Sequence, residues 1–128
     1  MDLNRAQSSL QAARLCLEHQ FFDSAASRAY FAMFQIAICA LETRGIKHSE
    51  WTHKGVHSAF VQNFVRGRKI VPASFASALP TTMEIRHIAD YRQPGASQRQ
   101  AERAVRLAAQ FSELLMRDVL DASNPENS

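Results

Sequence analysis

The chain has 128 residues, of which 46% are hydrophobic and 21% charged, which suits one soluble domain with a real core. Its 15 Lys and Arg against 12 Asp and Glu give a formal charge of +3 and a pI near 9.2, a mild basicity that accommodates RNA or nucleotide without demanding either. There is no Gly-rich phosphate loop, no nucleophile elbow and no metal cluster of standard spacing, which sets aside the commonest nucleotide, hydrolase and metalloenzyme classes.

Residues 3–20 read as a first amphipathic helix. Leu3, Ala6, Leu10, Ala13 and Leu17 recur at spacings of three and four and mark one apolar face. His19 to Phe22 make a connection so short that the next helix is expected to lie antiparallel to the first. That second helix, from Asp23 to Gly45, is the element around which the chain is organised. Asp23 is the expected N-cap and Gly45 the expected stop. Between them Ala25, Ala29, Met33, Phe34, Ile36, Ala37, Ile38, Ala40 and Leu41 leave no side polar throughout, as in a helix surrounded by other helices. Gln35 interrupts its apolar run and Arg28 and Glu42 flank it, so it is read as a bundle core and not a membrane span.

Thr52 is expected to cap a third helix over residues 53–65, with Val56, Phe60 and Phe64 on one side. Arg66, Gly67, Arg68 and Lys69 follow as a basic turn. A fourth helical segment runs from Pro72 to about Tyr91, and Pro80 inside it is expected to kink or split it. After the turn around Pro94 and Gly95, Ser97 and Gln100 fit a capping box for a last helix, Gln98 to Leu120. The reading is all-α: an up-and-down bundle of four to five helices over residues 1–121, followed by a polar, disordered tail over 122–128. Cys16 and Cys39 sit inside apolar helical patterns and are expected as free thiols. With MDLNRAQ at the start, neither a signal peptide nor a lipidation motif, the expected location is the cytoplasm, with no membrane contact.

Two places hold candidate chemistry. His53 and His57 lie four residues apart on one helix face, but no third ligand accompanies them, so no metal and no cofactor is assigned. In the segment EIRHIADYR, Arg86 and Asp90 share a face and Tyr91 lies at its edge. Met83, Ile85, Ile88 and Ala89 place part of this segment in the interior. A guanidinium near a bundle interior needs a counter-charge, and it is shaped to hold a phosphate through two parallel bonds.

The sequence SAASRAYFAMF from Ser24 to Phe34, then THKGV from Thr52 to Val56, then RHIADY from Arg86 to Tyr91, resembles the HEPN superfamily, and within it the small stand-alone prokaryotic HEPN proteins. The resemblance covers roughly Leu3 to Leu120. It implies a four- to five-helix bundle, commonly a homodimer with the arginine-bearing helices near the dimer cleft. It also implies a toxin–antitoxin or defence-system component acting on RNA as a metal-independent endoribonuclease, or binding nucleotide phosphate. The implied partner is a nucleotidyltransferase-type antitoxin, and the alternative activity is none: a dimeric helical module that partners such a protein.

The family signature is an arginine, four to six residues, then a histidine. Here Arg86 is followed at those positions by Tyr91, Arg92 and Gln93, and Gln35 stands where relatives often carry histidine. The catalytic set implied by the resemblance is therefore Arg86 for phosphate, Asp90 to orient it, and Tyr91 and His53 as proton-handling groups. The implied RNA- or nucleotide-binding set is Ser27, Arg28, Tyr30, Lys54 and Arg86.

Overall fold

In a computed structural model, which describes residues 1–120, five α-helices are present: α1 (Leu3–Glu18), α2 (Phe22–Thr43), α3 (His53–Phe60), α4 (Ala78–Tyr91) and α5 (Gln98–Leu115). No strand occurs among the described residues. The expected tail lies outside them. α2 is the axis of the bundle, with α1, α5 and α4 packed along it and α3 across it. By length and composition α2 is apolar enough to cross a bilayer, yet 67% of its most apolar stretch is buried against the other helices. The bundle itself therefore takes up the surface that a membrane would otherwise cover.

Local chemistry explains most boundaries. Asp2 caps α1 by accepting the Asn4 N–H at 3.0 Å. Thr52 caps α3 by accepting the Gly55 N–H at 2.9 Å. Ser97 and Gln100 form a reciprocal capping box on α5. α2 ends in a Schellman turn: the Ile46 N–H reaches the Leu41 carbonyl and the Gly45 N–H the Glu42 carbonyl, both at 3.0 Å. Gly45 has φ of +82°, a value that glycine adopts without a Cβ penalty.

Three expectations are corrected. The N-cap of α2 is Phe21, and Asp23 lies within the first helical turn. The Asp23 carboxylate instead accepts the Ala96 N–H at 2.7 Å, tying the start of α2 to the turn that precedes α5. Pro80 neither kinks nor divides a helix. The break comes earlier, at Ala76–Ser77 between a short 3₁₀ turn (Ala73–Phe75) and α4, and Pro80 falls in the first turn of α4, where its missing N–H has no intrahelical partner to lose. The third helix does not stay α. From Val61 to Gly67 it winds more widely as π-helix, as does the end of α5 over Met116–Leu120. Gly67 closes the first of these turns so tightly that a Cβ there would sit 2.8 Å from the Gln62 carbonyl oxygen.

The core divides by residue size. Where α1, α2 and α5 meet, Ala6, Ala13, Ala25, Ala26, Ala29, Ala37, Ala101, Ala104 and Ala108 are buried, so the backbones approach closely. Toward α3 the core is aromatic. Phe60, Phe64 and Phe111 are buried, and the Phe60 and Phe111 rings lie 4.9 Å apart, seating α3 and its π-turns against α5 through ring packing. Cys16 and Cys39 are free thiols, and burial pushes the Cys39 thiol above its ordinary pKa.

Candidate functional site

On one side of α2 the residues Ser27, Tyr30, Phe31 and Phe34 recur at three- and four-residue spacing, so they form one stripe. α3 and α4 bring polar partners to this stripe. Tyr30 is fully buried, and its hydroxyl lies 2.7 Å from His53 Nδ1 and 2.9 Å from His57 Nε2. One phenol hydrogen cannot serve two ring nitrogens as donor. The phenol therefore donates to one imidazole and accepts an N–H from the other. Phe34 packs against the His53 ring at 4.9 Å between centroids.

The titration behaviour fits this arrangement. Burial, then the positive charge of Arg86, holds His53 below its ordinary pKa. Burial, then His53, does the same to His57. Burial pushes the Tyr30 phenol up to about 12, against the opposing pull of Arg86. At neutral pH the trio is two neutral imidazoles joined through a neutral phenol.

Arg86 comes in from α4. Its guanidinium carbon stands 5.7 Å from the centroid of the Tyr30 ring and 4.8 Å from that of Phe31, so two aromatic faces hold it. Its Nε lies 3.2 Å from Asp90 Oδ2, an ion-pair distance without hydrogen-bond alignment. Ser27 Oγ–H donates to the two Asp90 oxygens at 3.1 and 3.2 Å, fixing the carboxylate from α2. The Arg86 side chain is 20% exposed. Among the described residues no hydrogen bond engages its guanidinium. A planar cation, positioned by aromatic faces and a carboxylate with its donors uncommitted, is equipped to take an anion through two bonds.

Of the candidates read from sequence, the structure brings together Ser27, Tyr30, His53, Arg86 and Asp90. Tyr30 lies behind the site and not on its surface. Tyr91 is 71% exposed and packs against His87, with ring centroids 5.1 Å apart. At five residues from Arg86, its Cα direction has already turned well away along the helix. Arg28 and Lys54 are exposed on α2 and α3. Gln35 faces α1, where its carbonyl oxygen accepts the Ser9 hydroxyl at 2.7 Å. Sequence reasoning missed His57 and Phe31 as parts of the site. The His57 signal was present in its four-residue offset from His53, but its partner Tyr30 is 27 positions away.

The fold and site together define a class: a small all-helical domain with a cation, a carboxylate and neutral imidazoles gathered between three helices. The comparisons bear on the family. The family model for the HEPN domain matches residues 2–119. A UPF0332 protein from Gloeobacter violaceus is similar, 30% identical over 116 residues that make up 89% of this chain and 90% of the relative. The chain belongs to the HEPN domain family.

Proposed function

We propose that this chain acts on RNA, or binds nucleotide phosphate, as a component of a toxin–antitoxin or defence pair, and that Arg86 is the residue that receives the phosphate. The observation that carries this reading is the Arg86 guanidinium: held over Tyr30 and Phe31, steadied by Asp90, and free of hydrogen bonds among the described residues.

Cleavage of RNA through its own 2′-hydroxyl needs a base for that proton and a positive charge for the crowded phosphorane. Arginine supplies the charge and, being permanently protonated, cannot supply the base. His53 fits the role of base. If His53 Nδ1–H donates to the Tyr30 oxygen and Tyr30 O–H donates to His57 Nε2, the His53 Nε2 keeps its lone pair. In that arrangement the trio holds His53 in the tautomer that accepts a proton, and burial beside Arg86, which lowers its pKa, favours the unprotonated ring at neutral pH. Asp90 is a positioning residue acting through Arg86. Tyr91, remote from these groups within one protomer, would join the chemistry only through a partner.

The test is RNA cleavage by purified protein in EDTA. Arg86→Ala is expected to abolish cleavage and His53→Gln to reduce it on the order of a hundredfold or more, in the range of general-base contributions. Tyr91→Phe should leave it unchanged. Full cleavage by a folded Arg86→Ala protein would remove Arg86 from the mechanism.

A second reading is favoured by exposed apolar side chains. Phe21 is 63% exposed, Leu15 48% and Phe31 36%, which suits a non-catalytic dimeric module that partners a nucleotidyltransferase. Under this reading Arg86 and Asp90 fix helix packing, and Arg86→Ala alters the melting temperature and leaves RNA untouched. Light scattering at micromolar concentration tests the dimer that both readings use.

A further inference from the structure

The positive charge of this chain is unevenly placed. From Trp51 to Met83 there is no Asp or Glu, while Lys54, Arg66, Arg68 and Lys69 all fall there, in a chain whose formal charge is +3 overall. This is α3, its π-helical continuation and the turn beyond. Along the outer side of that element Lys54, Ser58, Gln62 and Arg66 are each exposed and spaced by four, which suits one face of an α-turn and a π-turn alike. None of the four cations is paired with a carboxylate among the described residues.

Beside this face runs a groove of about 430 Å³, lined by His57, Ser58, Val61, Gln62 and Arg66. His57 belongs to both places. It lines the groove, and its Nε2 meets the hydroxyl of Tyr30, whose ring lies under Arg86. The groove and the site around Arg86 are therefore joined by a chain of contacts through His57 and the buried Tyr30.

We infer that the ligand of this chain is a single-stranded RNA and not a mononucleotide, and that its strand runs from Arg86 and His53 along the outer face of α3 to the basic turn Arg66–Lys69. The inference rests on the reading of Arg86 as a phosphate site and extends it. Four cations unopposed by acid over a stretch on the order of 20 Å long fit a row of phosphates.

The experiment uses the full chain and 2′-O-methyl oligoribonucleotides, which cannot be cleaved, in two lengths: a dinucleotide and one of about twelve nucleotides, within the site sizes that single-strand tracks hold. Binding is followed by fluorescence anisotropy across a salt series. Arg66→Gln, Arg68→Gln and Lys69→Gln combined should weaken the long oligomer at least tenfold and lower its salt slope by about 2, since each phosphate contact to a single strand contributes about 0.7. The dinucleotide should bind as before. Gln62→Glu should weaken the long oligomer, while Gln11→Glu, the same charge change on the exposed side of α1, should not. If the triple variant binds the long oligomer with unchanged affinity and slope, the track is overturned, and Arg86-dependent dinucleotide binding would then show that the phosphate site stands without it. If the triple variant loses the long oligomer but Arg86→Ala binds both lengths normally, the strand lies on α3 and the Arg86 reading fails. Equal losses in Gln62→Glu and Gln11→Glu would reduce the effect to net charge and overturn the track.

Discussion

The two sides of α2 hold their neighbours by different physics. Toward α1 and α5 the contact is a seam of buried alanines, each contributing little alone, where stability depends on close backbone approach. Toward α3 and α4 the same helix offers Ser27, Tyr30, Phe31 and Phe34, and the contacts are specific bonds between named atoms. The first side can be assembled from any sequence of suitable size and period. The second requires particular groups at particular positions, and a chemical site is built from such requirements.

This contrast can be broken from the largest effect downward. Phe111→Ala empties the aromatic junction that seats α3 and should cost about 3–5 kcal/mol in urea unfolding. Ala104→Leu forces the seam apart and should cost about 1–3 kcal/mol, with the proposed RNA cleavage unchanged at temperatures where the variant stays folded. Tyr30→Phe keeps the ring and removes the shared hydroxyl. It should cost about 1–3 kcal/mol, because two half-buried imidazoles lose a partner, and should lower the proposed RNA cleavage far more than Ala104→Leu does. A seam variant that damages activity as much as Tyr30→Phe would erase the distinction between the two sides.

The smallest effect is in pH. His53 and His57 are both held below their ordinary value, so between the unfolded and folded pKa the unfolded chain binds more protons than the folded one. The stability they contribute is complete above about pH 6.5 and declines as pH falls through that value. Urea midpoints at pH 8 and pH 5 should differ in this direction, and His57→Gln should reduce the difference. At the alkaline end, ultraviolet titration should show a phenol ionising near 12 that Tyr30→Phe removes.

What was legible in the sequence follows from distance along the chain. Gly45, Thr52 and the Ser97–Gln100 box act within a turn of themselves, and their local signals gave the right boundaries. Asp23 satisfied the same local rule and was misread, because its actual partner is the Ala96 N–H, 73 positions away. Pro80 would break a helix interior, but α4 begins only at Ala78, so Pro80 stands in a first turn that tolerates it. Within the site, the Arg86–Asp90 pair was readable as a four-residue offset. The Tyr30–His57 bond was not, since only folding brings α2 and α3 together. The HEPN resemblance supplied the bundle and the order of the motifs. It could not supply the base, because the usual histidine position holds Tyr91, which the fold turns outward.

The π-helical winding from Val61 to Gly67 has a consequence for how this protein can vary. A wider turn accommodates a residue that an α-turn would not, so the segment behaves like a tolerated single-residue insertion. Deleting one residue there would let the backbone relax to ordinary α geometry, and what lies beyond would keep nearly the same phase, because the wider turn had absorbed the extra residue. Arg68 and Lys69 would then keep nearly their direction relative to His53, with the aromatic junction under Phe60 still in place. The wide turn is thus where this helix can change length by one residue with the cations and the imidazoles held in the same relation.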